Sequence, residues 1–143
     1  MRILLLVILL SLIVSVPVNA DMVYDKILAA IRNNAAEDNI TELRNKYTDK
    51  KISGEGYISD ITEPTSNLRE IILSETKDGS GLTNVVNITV RQFLSSLEAN
   101  PQWDFIKRLK EGEKVSFSGD LFDIFSNTIY IKGDVRIEKA LER

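Results

Sequence analysis

The 143-residue chain contains no cysteine and no histidine. Without cysteine there is no disulfide to brace the fold and no thiolate to act as a nucleophile. Without histidine, the side chain that most often serves as general base and as zinc ligand is missing. Stability has to come from packing alone. An excess of positive charge is missing too, since 18 Lys and Arg stand against 21 Asp and Glu. Nucleic-acid binders commonly display a basic face, because neutralising phosphates supplies most of their affinity. The balance here disfavours that class while leaving room for a local patch. The sequence holds no internal repeat, linker or low-complexity segment. Its length, with 43% hydrophobic and 27% charged residues, is that of one globular domain with one core.

What is present begins with an apolar run, Ile3 to Val16, which follows Arg2 and leads to Val18-Asn19-Ala20. That order is the signature of a secretory signal peptide over residues 1–20, with small residues where a signal peptidase reads. A retained membrane anchor is the competing reading. The run is short of the ~20 residues that a spanning helix needs, however, and Ser11, Ser15 and Pro17 interrupt it. Removing the leader takes away Arg2 and leaves 17 basic residues against the same 21 acidic ones, so the mature chain from Asp21 is mildly acidic. The implied destination is secreted or periplasmic, with no stable membrane insertion after cleavage.

From Met22 to Ala36 the residues Val23, Ile27, Leu28, Ile31 and Ala35 recur at spacings of three and four, which predicts an amphipathic helix. Asn39 followed by Glu42 reads as a capping pair opening a second helix, whose stripe continues through Ile40, Leu43 and Tyr47. The polar residues mix Asp25 and Glu37 with Lys26 and Arg32, so packing against a sheet is expected in preference to a membrane surface.

Lys50 to Ile61 changes period: Ile52, Gly54, Gly56 and Ile58 share one face of a strand whose glycines let it bend sharply. Turn residues from Glu63 to Asn67 lead to a second strand, Leu68 to Thr76, with Ile71 and Leu73 inward. A second turn, Lys77 to Gly81, precedes a third strand from Asn84 to Val90. Phe93, Leu94 and Leu97 predict a short helical turn, and Asn100-Pro101 predicts a capped helix running through Trp103, Ile106 and Leu109 to Gly112. Two last strands lie between Glu113 and Ile137. Val115, Phe117, Gly119 and Leu121 alternate with polar residues in the first, and Ile129, Ile131, Gly133, Val135 and Ile137 in the second, around a tip at Ser126 and Asn127. Each carries an inward glycine, which marks coiling, a bulge or a close backbone approach. Glu138 to Arg143 reads as a charged tail.

Five strands with one helix between the third and fourth suit a small closed barrel better than an open sheet, because closure removes exposed edges. The expected fold class is mainly β: a five-stranded closed barrel over residues 49–143, with a helical extension over residues 21–48. Three stretches carry a family likeness: Arg44-Asn45-Lys46-Tyr47 at a helix end, Lys50 to Ile58 as the first strand, and Leu109 to Gly119 leading into the fourth. In them the chain resembles OB-fold domains, most closely the exported tRNA_anti-like proteins and more distantly the periplasmic BOF family. The resemblance implies a barrel and supplies no catalytic residue, cofactor or metal site. Some of those relatives have a cysteine near the end of the fifth strand, and this sequence has none.

OB-folds bind through the outer face of strands two and three and the flanking loops. The candidate ligand-binding residues there are Arg69 or Glu70, Asn87 and Thr89, together with Tyr57 from strand one and Lys50 and Lys51 near the barrel mouth. One aromatic is a thin stacking platform for single-stranded nucleic acid. The densest basic cluster, Lys107, Arg108, Lys110 and Lys114, is interleaved with acids and reads as a solvated helix end. Asp120 and Asp123 are the one carboxylate pair worth testing as a metal site, but residues flanking a hairpin tip are usually turn flanks. Trp103, with Ile106 at i+3, is expected to plug one end of the barrel. The function expected is a non-enzymatic binding module for a protein, peptide or small polar ligand. Single-stranded nucleic-acid binding is the alternative by fold analogy, and an exported metal-dependent nuclease the second alternative.

Overall fold

A computed structural model of the chain describes residues 20–141. Apart from Ala20, the expected leader lies outside the described residues. Among them, no helix is long and apolar enough to cross a membrane.

Two helices come first, α1 (Ala20–Arg32) and α2 (Glu37–Tyr47). The three-and-four spacing buries Val23, Tyr24, Ile27, Leu28 and Ile31 on one side of α1. The capping pair expected at Asn39 is not the start of α2. The helix begins two residues earlier, after Ala36, whose side chain makes no cap. Glu37 and Asp38 in the first turn complement the positive end of the helix dipole instead.

The rest is mainly β. β1 (Lys51–Thr65) pairs with β2 (Leu68–Ser74), and β2 with β3 (Val86–Arg91), all antiparallel. β3 runs parallel to β7 (Thr128–Ile131), which turns back from β6 (Lys114–Phe125). The first half of β6 then pairs with the start of β1, from Lys51 opposite Asp120 to Tyr57 opposite Lys114. The neighbour relations thus run in a ring, and β8 (Arg136–Lys139) adds to β6 at Val115–Ser118.

Inward positions follow the period-two reading: Ile71, Leu73, Val86, Ile88 and Val90 are buried, as are Ile129 and Ile131. Each such side chain stabilises the fold by about 1.5–3 kcal/mol relative to exposure. The helices share this core, so the extension is packed onto the sheet. Trp103 and Ile106 are buried in the same cluster.

Several further expectations fail. The stretch from Phe93 is no helical turn: β4 (Phe93–Ser95) and β5 (Glu98–Ala99) form a separate exposed hairpin. Leu97 at its tip is 98% exposed, so the apolar residues that suggested a helix face have no core to face. The following helix, α3 (Trp103–Lys107), is only five residues long and its N-cap position is Gln102, whose N–H donates to Asn100 Oδ1. The final pair of strands is three, making eight strands among the described residues instead of five, six in one sheet and two in the hairpin. Gly133 is not an inward strand residue. It and Asp134 both have positive φ, turning the chain out of β7 before β8 begins. Glu138 and Lys139, read as tail, belong to β8.

Two glycines show why β1 can sit at the centre of this arrangement. A Cβ on Gly54 would run into the Tyr24 ring, and one on Gly56 would press on Leu73 and the Ser74 carbonyl. Gly54 therefore admits α1, whose Tyr24 meets Phe117 edge-on with centroids 5.3 Å apart. Burial, with the Glu75 and Asp25 charges adding to it, pushes the Tyr24 hydroxyl well above the ordinary tyrosine value of 10.0.

Gly54→Ala is expected to lower stability by about 1–3 kcal/mol through overpacking, and by less in a Tyr24→Ala background, where the ring is gone. Chemical denaturation of the four members of that cycle measures the coupling, and additive losses would show that the helix does not press on β1 as described. The raised Tyr24 pKa gives a second expectation. Its contribution is complete below the unfolded-state pKa of about 10 and is lost as pH rises beyond it. Melting curves should therefore fall more steeply above that pH for the wild type than for Tyr24→Phe.

Candidate functional site

The β2–β3 ladder runs the whole length of β3, from Val86 to Arg91. The β3–β7 ladder covers only Val86, Asn87 and Ile88, because β7 ends at Ile131. Beside Thr89–Arg91, where a longer β7 would lie, is a groove of about 510 Å³. Thr89, Val90 and Arg91 line one side, the turn Lys132–Val135 lines the other, and Phe93 and Leu94 from the β4–β5 hairpin complete the lining with Asn100. Those two side chains are 50% and 55% exposed.

Side-chain amides do the holding here. Asn100 is buried; its Nδ2 donates to the Arg91 carbonyl at 2.9 Å and its Oδ1 accepts from the Gln102 N–H at 3.0 Å. Gln102 in turn grips β8 with both amide atoms: Nε2 donates to the Ile137 carbonyl and Oε1 accepts from the Ile137 N–H, each at 3.1 Å. The chain before α3 thereby ties β3 to β8, satisfying polar groups that a strand would otherwise pair.

The groove's charges are Arg91, Lys132 and Asp134. Asp134 is bonded to the Lys51 ammonium, and that contact holds its carboxyl below the usual carboxylate range. Lys132 lies over the Phe122 ring, 4.1 Å from its centroid. Arg91 is exposed and enters none of the ion pairs found among the described residues. Once the Lys51–Asp134 pair is set aside, the groove is apolar with two cations.

The structure scatters the residues singled out from sequence. Thr89 lines the groove and Lys51 reaches it through Asp134. Lys50 is exposed, and its carbonyl accepts from Leu121 N–H at 3.0 Å. Asn87 stands on the outer face between Ile72 and Tyr130, with its Oδ1 buried and without a hydrogen-bond partner. Tyr57 lines a different cleft, with Lys114 5.7 Å from its ring centroid.

Arg69 is misplaced by the sequence reading. It alternates in phase with Ile71 and Leu73, and its side chain is 14% exposed. The guanidinium donates to the Ile106 carbonyl at 2.7 Å and pairs with Glu63 at 2.8 Å. It fastens α3 to β2 and is not on the outer binding face. Asp123 is paired with Arg44 at 2.9 Å. Asp120 lies opposite Lys51 on β6. No group of three potential metal ligands gathers among the described residues. The basic cluster disperses into pairs, Lys107 with Asp104 at 3.6 Å and Lys114 with Glu55 at 3.4 Å.

Sequence reasoning missed Phe93, Leu94, Arg91 and Lys132. The only signal for the first two was an apolar group, Phe93, Leu94 and Leu97, outside any strand alternation. Arg91 and Lys132 are far apart in the chain and meet only through the fold.

No protein-family model matches the sequence, and a comparison with curated proteins finds no significant match. Among solved structures the chain is similar to OBody AM1L10 bound to hen egg-white lysozyme, with a TM-score of 0.51 and 9% identity, over 70% of this chain and 87% of that one. OBody AM3L15 bound to hen egg-white lysozyme has a TM-score of 0.46 and 10% identity, over 73% and 89%. OBodies are OB-fold scaffolds, and the first likeness shows that the architecture here is OB-fold-like.

Because Arg69 serves the fold, Arg69→Met should leave ligand binding unchanged and cost about 1.5–3 kcal/mol, the value of a hydrogen bond to a charged group. Urea denaturation measures the loss, and an undiminished midpoint would return Arg69 to the list of surface residues.

Proposed function

We propose that this chain is an exported, non-enzymatic binding module, a closed OB-fold barrel of the tRNA_anti-like kind, and that it recognises a protein or peptide at the groove beside Thr89–Arg91. The observation that carries the reading is the pair Phe93 and Leu94, half exposed on the β4–β5 hairpin and lining a groove that no strand fills among the described residues. Exposed apolar side chains gathered at a concave site mark a surface that is covered by something. The OBody bound to hen egg-white lysozyme is an instance of the same architecture recognising a protein. Leader and destination belong to this proposal: residues 1–20 direct export, to a secreted or periplasmic location.

Single-stranded nucleic acid is the weaker reading. The outer face does present Tyr130 and Phe122 with Lys132. Asp60 and Glu70 share that side of the sheet, and a phosphate backbone would be repelled by them. A nuclease is weaker still, because Asp123 is already engaged by Arg44.

Two binding assays on the same preparation separate these readings. Random-peptide display should enrich peptides that bind the wild type and not Leu94→Asp, a change at an exposed side chain that leaves the fold intact. Labelled single-stranded DNA and RNA should show flat anisotropy at every salt concentration. Oligonucleotide binding that weakens steeply with salt, together with no peptide sensitive to Leu94, would reverse the ranking.

A further inference from the structure

We infer that the groove receives an extended, acidic segment of a partner protein, which lies along Thr89–Arg91 and adds to the sheet where β7 stops. The inference rests on the proposed binding function and names the occupant of that site.

Three observations converge on it. The first is the mismatch of ladders: β2 pairs with β3 as far as Arg91, while β7 pairs with it only as far as Ile88. Among the described residues no strand pairs with the β7-facing side of Thr89–Arg91; Asn100 Nδ2 already occupies the Arg91 carbonyl, and a peptide backbone would continue the sheet at the groups left on that side. The three residues span about 10 Å, room for a short extended segment.

The second observation is charge. Asp134 is held by Lys51, which leaves Arg91 and Lys132 as the lining charges without a carboxylate partner among the described residues. Carboxylates on the incoming chain complement them, and lysines do not. The third is the apolar lining, Phe93, Leu94 and Val135. An extended chain sends alternate side chains to opposite sides, so a segment alternating acidic and apolar residues meets both kinds of wall.

The test uses capped pentapeptides and the ¹⁵N-labelled protein. The probes are Val-Asp-Val-Glu-Val, its counterpart with lysine at both acidic positions, and the acidic peptide with alternate backbone nitrogens methylated. The acidic peptide is expected to shift the amides of Thr89, Val90 and Arg91. Methylation, which removes main-chain donors and keeps the side chains, should weaken binding by roughly tenfold. The lysine peptide should bind at least roughly tenfold more weakly, and the order of the two should invert on an Arg91→Glu/Lys132→Glu protein whose melting curve matches the wild type.

Equal binding of the methylated peptide, equal binding of the lysine peptide, or no shift at millimolar concentration each overturns the inference. So does self-association that broadens the Thr89–Arg91 signals, which would give the gap to a second copy of the chain. A display-selected peptide that binds but shifts amides on another face overturns this assignment alone and leaves the protein a peptide-binding module. Absence of any binding peptide overturns both.

Discussion

The ladder between the start of β1 and the first half of β6 is the constraint on which the rest of the molecule depends. Seven residue pairs, Lys51 with Asp120 through Tyr57 with Lys114, join the first strand to a strand more than fifty residues later. That contact turns a row of neighbouring strands, antiparallel except for β3 and β7, into a ring. It can form because β1 is long enough to serve two partners, β6 along its first half and β2 along its second. Gly54 and Gly56 sit in the half that pairs with β6, on one strand face, where a side chain would collide with Tyr24 at the first and with Leu73 and Ser74 of β2 at the second. The helices depend on the same segment, since Tyr24 occupies the space that Gly54 leaves and meets Phe117 of β6 beyond it.

Closing the ring on one side has a consequence on the other. β7 has only four residues, and the turn at Gly133-Asp134 takes the chain out of line with β3 and over to the outer edge of β6 as β8. β3 is left longer than its parallel neighbour. Among the described residues no other strand fills this mismatch. Asn100 and Gln102 bridge the deep end, and the β4–β5 hairpin stands beside the open end with its apolar residues exposed. A site arises where sheet pairing runs out, which is also where main-chain groups and apolar surface become available together. The candidate groove is therefore a by-product of how the ring is made, furnished by residues from four separate elements.

Periodicity in the sequence was enough to place most of the core. Ile71 and Leu73, Val86, Ile88 and Val90, and Ile129 and Ile131 alternate with polar neighbours and are buried as alternation requires. The helical face of Val23, Ile27, Leu28 and Ile31 was equally legible. The errors fall where local pattern and tertiary demand disagree. Gly133 continues an alternating run, yet it takes a positive φ because the chain must leave β7 there. Phe93, Leu94 and Leu97 have a helical spacing, yet they lie in a hairpin that has no core to pack against. Arg69 sits in phase with Ile71 and Leu73, although Arg69 or Glu70 was expected on the outer face. Its real partner is the Ile106 carbonyl at the end of a helix 37 residues away.

The sequence by itself determined the class of the fold, the strands and helices that bury the core, and the lack of cysteine and histidine chemistry. Those properties are set by residue identity and by spacings of two, three or four, which act within a single element. Only the tertiary structure decided the site. Arg91 comes from β3, Lys132 and Val135 from the turn after β7, Phe93 and Leu94 from the hairpin, and Asp134 meets Lys51 across 83 residues. No periodic signal connects them, because what brings them together is a difference in length between two strands that are neighbours only once the ring has closed.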